Sequence, residues 1–527
     1  MSARARLLAA AALLLAAAPA AAQPSGATRP RTAYEDLQMF SQVLNQIRVN
    51  HPDSVDTHAL FMAAVQGMVQ AADPHSYVIP AARLSPQKEQ QLRSGRLHPV
   101  PVGFRYVGGQ PVVASVAPGT AAARQDILPG DVLVAIDGNR VLAESPVELE
   151  VFLAGTRGSE VRLTFERERT DGTRAELERT VKRERGEDES PVPVAMMLDA
   201  ETGYVRVVTF ASERAAEDLH AALERLEGQG MKRLMLDLRD NGGGVVNEAT
   251  RVASEFLPAG ATVYVSEGRK AEVHDSVVVR RSFWRTERQY PIVVMVNEGT
   301  ASASELVAGA LQDHDRAVIV GRPTFGKSLL MQGFPLSDGS MIMLTIGHIK
   351  TPCGRVIQRQ YRDMRGADYY RMARAARDTV GRPSCRTAGG RTVYGGGGIY
   401  PDVVMPEAEP APVWLARLAE DAVHTRWIGG YLTENAGAFT TAEALAATPR
   451  LPDAALAQFR AFAQQQGHAV PAGADADRAL QRLLVPEIAG TKWGAAGYYR
   501  VLAALDEQIG VAAREFARAA EILGARE

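Results

Sequence analysis

The stretch that most constrains the fold of this chain is residues 297–305, which carries hydroxyl side chains between a predicted strand and a predicted helix. Residues 290–296 before it are apolar and rich in β-branched side chains, which is typical of a buried strand. From Ala303 onward, apolar residues recur at helical spacing. Because the first N–H groups of a helix are unpaired and favour negative charge, a serine at this junction is suited to acyl transfer through an oxyanion.

The same residues also have a purely structural interpretation. Ser302 and Glu305 have the spacing of a capping box, in which serine and glutamate satisfy the first N–H groups of a helix. Most serines in this pattern only cap helices. The stretch alone therefore does not distinguish a nucleophile from a cap.

A second stretch, residues 321–328, follows an apparent strand at 317–320 and fits the phosphate-loop pattern G-x-x-x-x-G-K-S. A phosphate loop leads into a helix whose N-terminus faces the phosphates. Here Gly333 and Pro335 interrupt the residues that would have to form that helix. The sequence therefore argues against a nucleotide site at Lys327.

Taken together, T-A-S-A-S-E at 300–305 and T-F-G-K at 324–327 closely resemble two motifs of the carboxy-terminal processing (tail-specific) peptidases. This family consists of serine proteases with a Ser–Lys catalytic core and an embedded PDZ domain. The resemblance implies that Ser302 is the nucleophile and Lys327 the general base. Ser304 is then a structural neighbour.

The run L-D-L-R-D-N-G-G-G at 236–244 follows a predicted buried strand. A glycine triplet by itself indicates no more than a tight turn, but this run resembles the oxyanion loop of the family. Glycines allow the backbone to approach a substrate closely. The resemblance implies that the oxyanion is stabilised by the backbone N–H of Gly243 or Gly242 together with that of Ala303.

The chain departs from the family at one position. The family usually has a glutamine four residues after the lysine, where it orients the amine, but this chain has Met331 there, followed by Gln332. Adjacent residues of a strand point to opposite faces, so Gln332 can substitute only if the strand bulges. Met331 and Gln332 are both candidate orienting positions. Another polar group could serve instead, or the site could wait for a conformational change, but a working dyad of Ser302 and Lys327 is the favoured arrangement.

Residues 97–185 resemble a PDZ domain, most specifically in the L-P-G-D-V-L-V-A-I-D-G run at 128–138. PDZ domains add a peptide as an extra strand and hold its C-terminal carboxylate on backbone N–H groups. Four residues are candidates for peptide binding, two in the matching loop and two on one face of a predicted helix: Gly103, Phe104, Val147 and Val151. A turn glycine and two core valines are the structural alternatives.

Residues 1–22 have the pattern of a secretory signal, with two early arginines, an apolar run and a small-residue end. Cleavage is expected before Gln23, and the family resemblance implies a periplasmic location. The apolar run is shorter than a membrane span, so we expect a soluble exported protein. The net charge of −2 gives no electrostatic footprint for nucleic acid.

The chain has two cysteines. In an oxidising compartment Cys353 and Cys385 could form a disulfide, or both could be buried thiols.

The D-P-H-S run at 73–76 ends a predicted helical segment and resembles an element of the family. Because His75 lies beside a helix-stopping proline, a structural or capping role is favoured over that of a catalytic base.

We expect a multidomain α/β protein with a serine-protease core of the tail-specific type, an inserted PDZ domain and helical N- and C-terminal regions. The predicted segments are the signal peptide 1–22, an N-terminal helical segment 32–96, the PDZ domain 97–185, the protease core 186–405 and a C-terminal helical region 406–527.

The resemblance implies an exported serine endopeptidase that recognises the C-terminal tails of protein substrates through its PDZ domain and cleaves with Ser302 and Lys327. It implies no metal and no cofactor. The expected partners are proteins or peptides with accessible C-termini, and the C-terminal helical region is open to an adaptor or a second copy of the chain. The alternative is a catalytically weak or inactive PDZ-bearing binding protein on a protease fold, supported by Met331.

Overall fold

The computed structural model describes residues 32–79, 97–117, 119–143, 146–184, 186, 189–280, 287–361, 369, 379, 381–406 and 411–524, without the side chains of residues 97 and 147. The predicted signal segment, with its cleavage point before Gln23, lies outside the described residues. The chain divides into two compact units between Ala72 and Asp73. No helix of the described part is both long enough and apolar enough to cross a membrane.

The described residues of the N-terminal unit form two helices, in the segment that the sequence predicts to be helical. They are α1 (Ala33–Asn50) and α2 (Thr57–Ala72). The Asp56 carboxylate accepts hydrogen bonds from the N–H groups of His58 and Ala59, so Asp56 is the N-cap of α2.

The second unit begins with a short strand and continues into a small β-rich domain. Its elements are β1 (Tyr77–Ile79), β2 (Leu97–His98), β3 (Val102–Val107), β4 (Gln110–Val116), β5 (Val132–Ile136), β6 (Asn139–Arg140), α3 (Pro146–Leu153), β7 (Gly155–Thr156), β8 (Glu160–Glu168) and β9 (Arg174–Lys182). One antiparallel sheet has the order β3-β4-β5-β8-β9, with β6 on β5. Within the described residues β3 is therefore an edge strand, and α3 packs beside it.

Strands and helices then alternate, as the sequence predicts for an α/β core. The elements are β10 (Val194–Met197), β11 (Thr202–Arg206), α4 (Ala215–Gly228), β12 (Arg233–Asp237), α5 (Val246–Ala253), β13 (Thr262–Gly268), β14 (Asp275–Val278), β15 (Ile292–Val296), α6 (Ala303–Asp313), β16 (Val318–Gly321), β17 (Leu329–Pro335), β18 (Met341–Lys350), β19 (Ser384–Arg386), β20 (Thr392–Tyr394) and β21 (Val403–Val404). The central sheet has the order β10-β11-β12-β15-β16-β21. Its strands run parallel except for β10, which is antiparallel to β11.

The described residues 411–524 form seven helices: α7 (Val413–Glu420), α8 (Val423–Glu434), α9 (Ala442–Ala447), α10 (Asp453–Gln465), α11 (Ala474–Ala504), α12 (Glu507–Ala513) and α13 (Phe516–Gly524). Alternate residues of a strand point to opposite faces of its sheet. On one face of the central sheet, Leu234 and Leu236 share a core with α4, α5 and α6. On the other face, Met235 shares a core with Phe516 and neighbouring residues of α12 and α13. The C-terminal region thus supplies the second helical layer of the α/β core.

A second, antiparallel sheet has the order β1-β18-β13-β14, and β17 also pairs with β18. Beyond β18, a disulfide joins Cys353 to Cys385 in β19. The structure thereby decides between the two cysteine states that the sequence leaves open.

Candidate active site

Ser302 lies between β15 and α6, at the edge of the central sheet where the parallel strands have their carboxyl ends. Ligands of open α/β sheets bind at this edge. The Ser302 backbone has φ 57° and ψ −119°, a sparsely populated conformation for a residue with a side chain. Such strain is concentrated at functional sites, where surrounding contacts hold it in place. A strained turn from strand to helix is also how other hydrolases expose a nucleophilic serine.

The carboxylate of Glu305 connects the serine to the lysine. It is fully buried and accepts hydrogen bonds at 2.8 Å from the backbone N–H groups of Ser302 and Lys327. Its other oxygen accepts from the Gly326 N–H at 2.7 Å and from the Thr324 hydroxyl at 2.5 Å. Burial raises the pKa of Glu305, and these hydrogen bonds oppose that effect. The sequence identifies this glutamate as part of a capping box, but its bonds to the lysine segment could not be read from spacing.

Lys327 precedes a strand and not a helix, because β17 begins at Leu329. This excludes a phosphate loop, which requires a helix at that point. The lysine side chain is half-buried, and burial lowers its pKa while the charges of Asp73 and Glu305 raise it. A lysine with a lowered pKa is neutral over a wider pH range, as a general base must be.

The glycine loop packs directly against the serine. Gly243 has φ 93°, and a Cβ there would lie 2.8 Å from the Ser302 Cβ and 2.8 Å from the Ala303 nitrogen, so this approach requires glycine. The Gly243 N–H, however, donates to the side-chain oxygen of Asn241 at 3.0 Å. In this conformation the Gly243 N–H is therefore already engaged and is not open to an oxyanion. The N–H groups of Gly242 and Ala303 make no hydrogen bond to another described residue, and they are the two open donors.

Asn241 fixes the shape of the glycine loop, a role that the sequence analysis did not assign. Its side chain is fully buried and donates to the Val207 carbonyl at 2.9 Å. The backbone carbonyl of Asn241 accepts a hydrogen bond from the Ala301 N–H at 3.0 Å. A buried amide is costly unless hydrogen-bonded, and the Asn241 side chain meets that requirement through Val207 and Gly243. The backbone bond to Ala301 joins the loop to the turn before Ser302.

Arg239 links the glycine loop to the C-terminal helices. Its guanidinium donates to both oxygens of the fully buried Asp237, at 3.0 and 2.6 Å. The same guanidinium donates to Asp506 at 2.5 Å and to the Gln508 side chain at 2.7 Å. Asp506 also caps α12 by accepting from the Gln508 N–H at 2.9 Å. These contacts give the C-terminal region, whose role the sequence leaves open, a direct connection to the active-site loop.

No hydrogen bond joins the Ser302 Oγ to the Lys327 Nζ in the part of the chain that the structure describes. The proton-transfer contact is thus not formed in this conformation. In free enzymes such contacts are often long and shorten only when substrate binds.

The two candidate orienting residues lie on β17. The pairing of β17 with β18 shifts between Leu330 and Met331, and the extra residue lies in β18. Gln332 therefore keeps the face opposite to Met331, and it is exposed, whereas Met331 is half-buried. The bulge that Gln332 would need in order to replace a glutamine at 331 is not present in β17.

His75 is buried, and its ring lies edge-on to Tyr369 with 4.8 Å between centroids. Burial, followed by the charge of Lys327, lowers the pKa of His75 to about 4, so the imidazole is neutral near pH 7. Among the described residues, no cluster of three or more His, Cys, Asp and Glu side chains could hold a metal ion.

The residues predicted to bind peptide lie at the start of β3 and on α3. Gly103 and Phe104 belong to β3, with a register shift between them. A cavity of about 290 Å³ opens there, lined by residues 99–103 and by the acidic side chains of Glu150 and Glu189. On α3, Val151 is half-buried, and the side chain of Val147 lies outside the described part of the chain.

Residues 201–364 match the sequence profile of peptidase family S41, and residues 112–167 match that of a PDZ domain. The S41 match spans the glycine loop, Ser302, Glu305 and Lys327. The family resemblance and the fold class inferred from the sequence, an α/β protease core with a PDZ domain and helical terminal regions, are confirmed.

The chain is similar to several carboxy-terminal-processing proteases. That of Bartonella bacilliformis is 29% identical over 64% of this chain and 76% of its own length. The carboxyl-terminal-processing protease of Synechocystis is 36% identical over 44% of this chain, and this chain spans about half (53%) of its length. A solved photosystem II D1 C-terminal processing protease has 24% sequence identity and a TM-score of 0.35, covering 76% of this chain and 92% of its own.

Proposed function

We propose that this protein is an exported serine endopeptidase that recognises the C-terminal tails of protein substrates through its PDZ domain and cleaves with Ser302 and Lys327. The observation that carries the proposal is the buried Glu305 carboxylate, which holds the backbone of both residues at 2.8 Å. The names of the relatives, carboxy-terminal-processing proteases, support the reaction class. The signal pattern of residues 1–22 supports export.

In the proposed mechanism the neutral Nζ of Lys327 accepts the Ser302 proton while the serine Oγ attacks the scissile carbonyl carbon. The N–H groups of Gly242 and Ala303 donate to the oxyanion that forms. Collapse of the tetrahedral intermediate breaks the scissile C–N bond, and Lys327 gives the proton to the leaving amine. Water then attacks the acyl-enzyme with Lys327 again as base, which releases the second product and restores the serine.

Amidation of a substrate's C-terminus tests recognition of the tail. A peptide can pair with β3, an edge strand among the described residues. Because Glu150 and Glu189 line the cavity at its start, a carboxylate bound there depends on backbone N–H groups. We expect kcat/KM for a tailed substrate to fall about tenfold on amidation, mainly through KM. Rates are measured by mass spectrometry of the fragments.

Equal or faster cleavage of the amidated substrate would contradict tail recognition by the PDZ domain. If the wild-type protein cleaves no tailed substrate and matches a Ser302→Ala variant, the endopeptidase proposal fails. The PDZ-bearing binding protein then becomes the better explanation.

Asp506→Asn tests the link between the C-terminal helices and the glycine loop. Arg239 keeps Asp237 as a partner, so the variant should fold, but the loop loses the charged contact at 2.5 Å. We expect kcat to fall about tenfold with little change in KM, because a shift of ~1 Å in a catalytic group slows turnover. Asp475→Asn is the control, since Asp475 pairs with Arg478 on the exposed surface of the same region. An unchanged kcat for Asp506→Asn would show that the loop does not depend on this contact.

A further inference from the structure

The face of β17 that carries Met331 offers the amine of Lys327 only a thioether sulfur, which accepts hydrogen bonds weakly, while Gln332 lies on the opposite face. Across the ladder, Met331 pairs with Thr345 of β18. Directly opposite residues of an antiparallel pair point to the same face of the sheet. The contacts of Thr345 therefore show which polar groups lie over the face that carries Met331.

Thr345 binds the turn at residues 73–76. Its hydroxyl donates to the Asp73 Oδ1 at 3.2 Å, and its N–H donates to the Ser76 hydroxyl at 3.0 Å. Asp73 is 8% exposed and also accepts from the N–H groups of His75 and Ser76, at 2.8 and 2.9 Å. Its second oxygen accepts from the Ser76 hydroxyl at 2.5 Å. The carboxylate is thus fixed on the Met331 face of the ladder.

A second set of contacts ties the same turn to the lysine segment. The His75 ring packs edge-on against Tyr369, and Tyr369 packs against Phe325 with 5.9 Å between centroids. The Tyr369 hydroxyl donates to the Gly326 carbonyl at 3.3 Å. The turn at residues 73–76 thus contacts Tyr369, which packs against Phe325 and binds Gly326 just before Lys327. It also binds Thr345, which lies opposite Met331 just after Lys327.

The charges around Lys327 agree with this placement. Burial lowers the pKa of Lys327, and the negative charges of Asp73 and Glu305 oppose that effect. Burial and the charge of Lys327 lower the pKa of His75 to about 4, so its ring adds no charge beside Lys327 near pH 7. Each Glu305 oxygen already accepts two hydrogen bonds, whereas among the described residues the Asp73 Oδ2 accepts only the one from the Ser76 hydroxyl, so Asp73 is the carboxylate better able to accept from the amine.

We propose that Asp73, held by Thr345 and by its own turn, is the positioning residue of Lys327 in this chain and takes the place of the glutamine that Met331 replaces. This inference rests on the proposed function, since it assigns the group that orients the general base. The Asp73 carboxylate directs the amine and keeps its basicity from falling as far as burial alone would take it, and a stronger base removes the serine proton more readily.

Asp73→Asn is the principal test. Asparagine keeps an oxygen for the turn N–H groups of His75 and Ser76 but removes the charge. We expect the acid limb of the kcat/KM profile to move to lower pH by about 1 unit, because a negative charge that raises the pKa of Lys327 is lost. At the plateau, kcat should fall about tenfold with KM unchanged. Adding Met331→Gln to Asp73→Asn should restore most of the lost kcat, and its effect in the wild-type background should be smaller.

Two control variants separate positioning from turn stability. Ser76→Ala weakens the same turn but leaves the Asp73 charge, so the acid limb should not move. Asp199→Asn changes an aspartate with the same kind of turn contacts, to the N–H groups of Glu201 and Thr202 and to the Thr202 hydroxyl, and should change neither kcat nor the limb. If the acid limb of the kcat/KM profile moves equally in Ser76→Ala, the proposal is overturned, because the shift would then follow from a loosened turn and not from the lost charge.

A readout without proteolysis keeps this inference separate from the proposed function. In the Ser302→Ala background, a pulse of acetic anhydride at a series of pH values labels neutral lysine amines, and peptide mass spectrometry reports the labelling midpoint of Lys327. We expect Asp73→Asn to lower this midpoint. If wild type is inert but the midpoint moves, the endopeptidase proposal fails and the positioning by Asp73 stands. If wild type is active and neither limb nor midpoint moves, Asp73 has no such role.

Should Asp73→Asn fail to fold, Thr345→Val provides the test. It removes the hydroxyl that holds Asp73 and keeps the shape of the β18 side chain. We expect kcat to fall about threefold, with recovery when Met331→Gln is added. A wild-type kcat for Thr345→Val would overturn the proposal.

Discussion

Ser302→Ala should abolish proteolysis, with kcat lowered by at least about 10⁴-fold, while the protein stays folded. The reason is that no acyl-enzyme can form without the serine Oγ. Stability should change little, since the Glu305 carboxylate binds the backbone N–H at this position, and alanine keeps that group. The measurement is the cleavage rate of a tailed substrate, together with the thermal unfolding curve.

Ser304→Ala is the matched control for this variant. Ser304 lies two residues further along α6, is fully buried, and its hydroxyl has no hydrogen-bond partner in the described structure. We expect Ser304→Ala to cleave at close to the wild-type rate. Wild-type turnover by Ser302→Ala, or a loss confined to Ser304→Ala, would refute Ser302 as the nucleophile.

Lys327→Met should have an effect of similar size, because it removes the general base and keeps the length of the side chain. In the wild-type protein burial lowers the Lys327 pKa, and the neutral amine therefore appears below the free-lysine value of about 10.4. Activity should then rise with pH through that lowered pKa and reach a plateau above it. The measurement is kcat/KM from about pH 5 to pH 10 on one tailed substrate.

Lys232→Met serves as the control, since Lys232 is exposed. It should change neither the rate nor the pH profile. A wild-type profile that is flat below the free-lysine pKa, or an active Lys327→Met variant, would rule out Lys327 as the base.

Local patterns in the sequence were enough to place the serine and to reject the phosphate loop. The buried strand, the turn and the helix around Ser302 follow from apolar spacing over a few residues, and β15 and α6 lie where that spacing predicts them. Likewise, Gly333 and Pro335 interrupt any helix after Lys327, and the structure has β17 there. These features depend on neighbours along the chain, so a single sequence contains the information.

The family resemblance extended this local information to the chemistry. It assigned Ser302, Lys327 and the glycine loop, and it pointed to Met331 as the position where this chain differs. It could not say which N–H groups of the loop are open, because that depends on the Asn241 side chain. In the structure Asn241 engages the Gly243 N–H, so Gly242 and Ala303 are the better donors.

Only the tertiary structure decided which distant residues meet at the site. Thr345 binds Asp73 across 272 positions of the chain, and Arg239 binds Asp506 across 267. The apolar face of a C-terminal helix looks the same in the sequence whether it covers another helix or the central sheet, because its periodicity records burial and not the partner. What surrounds Lys327, and what supports the glycine loop, therefore follow from how the surfaces pack.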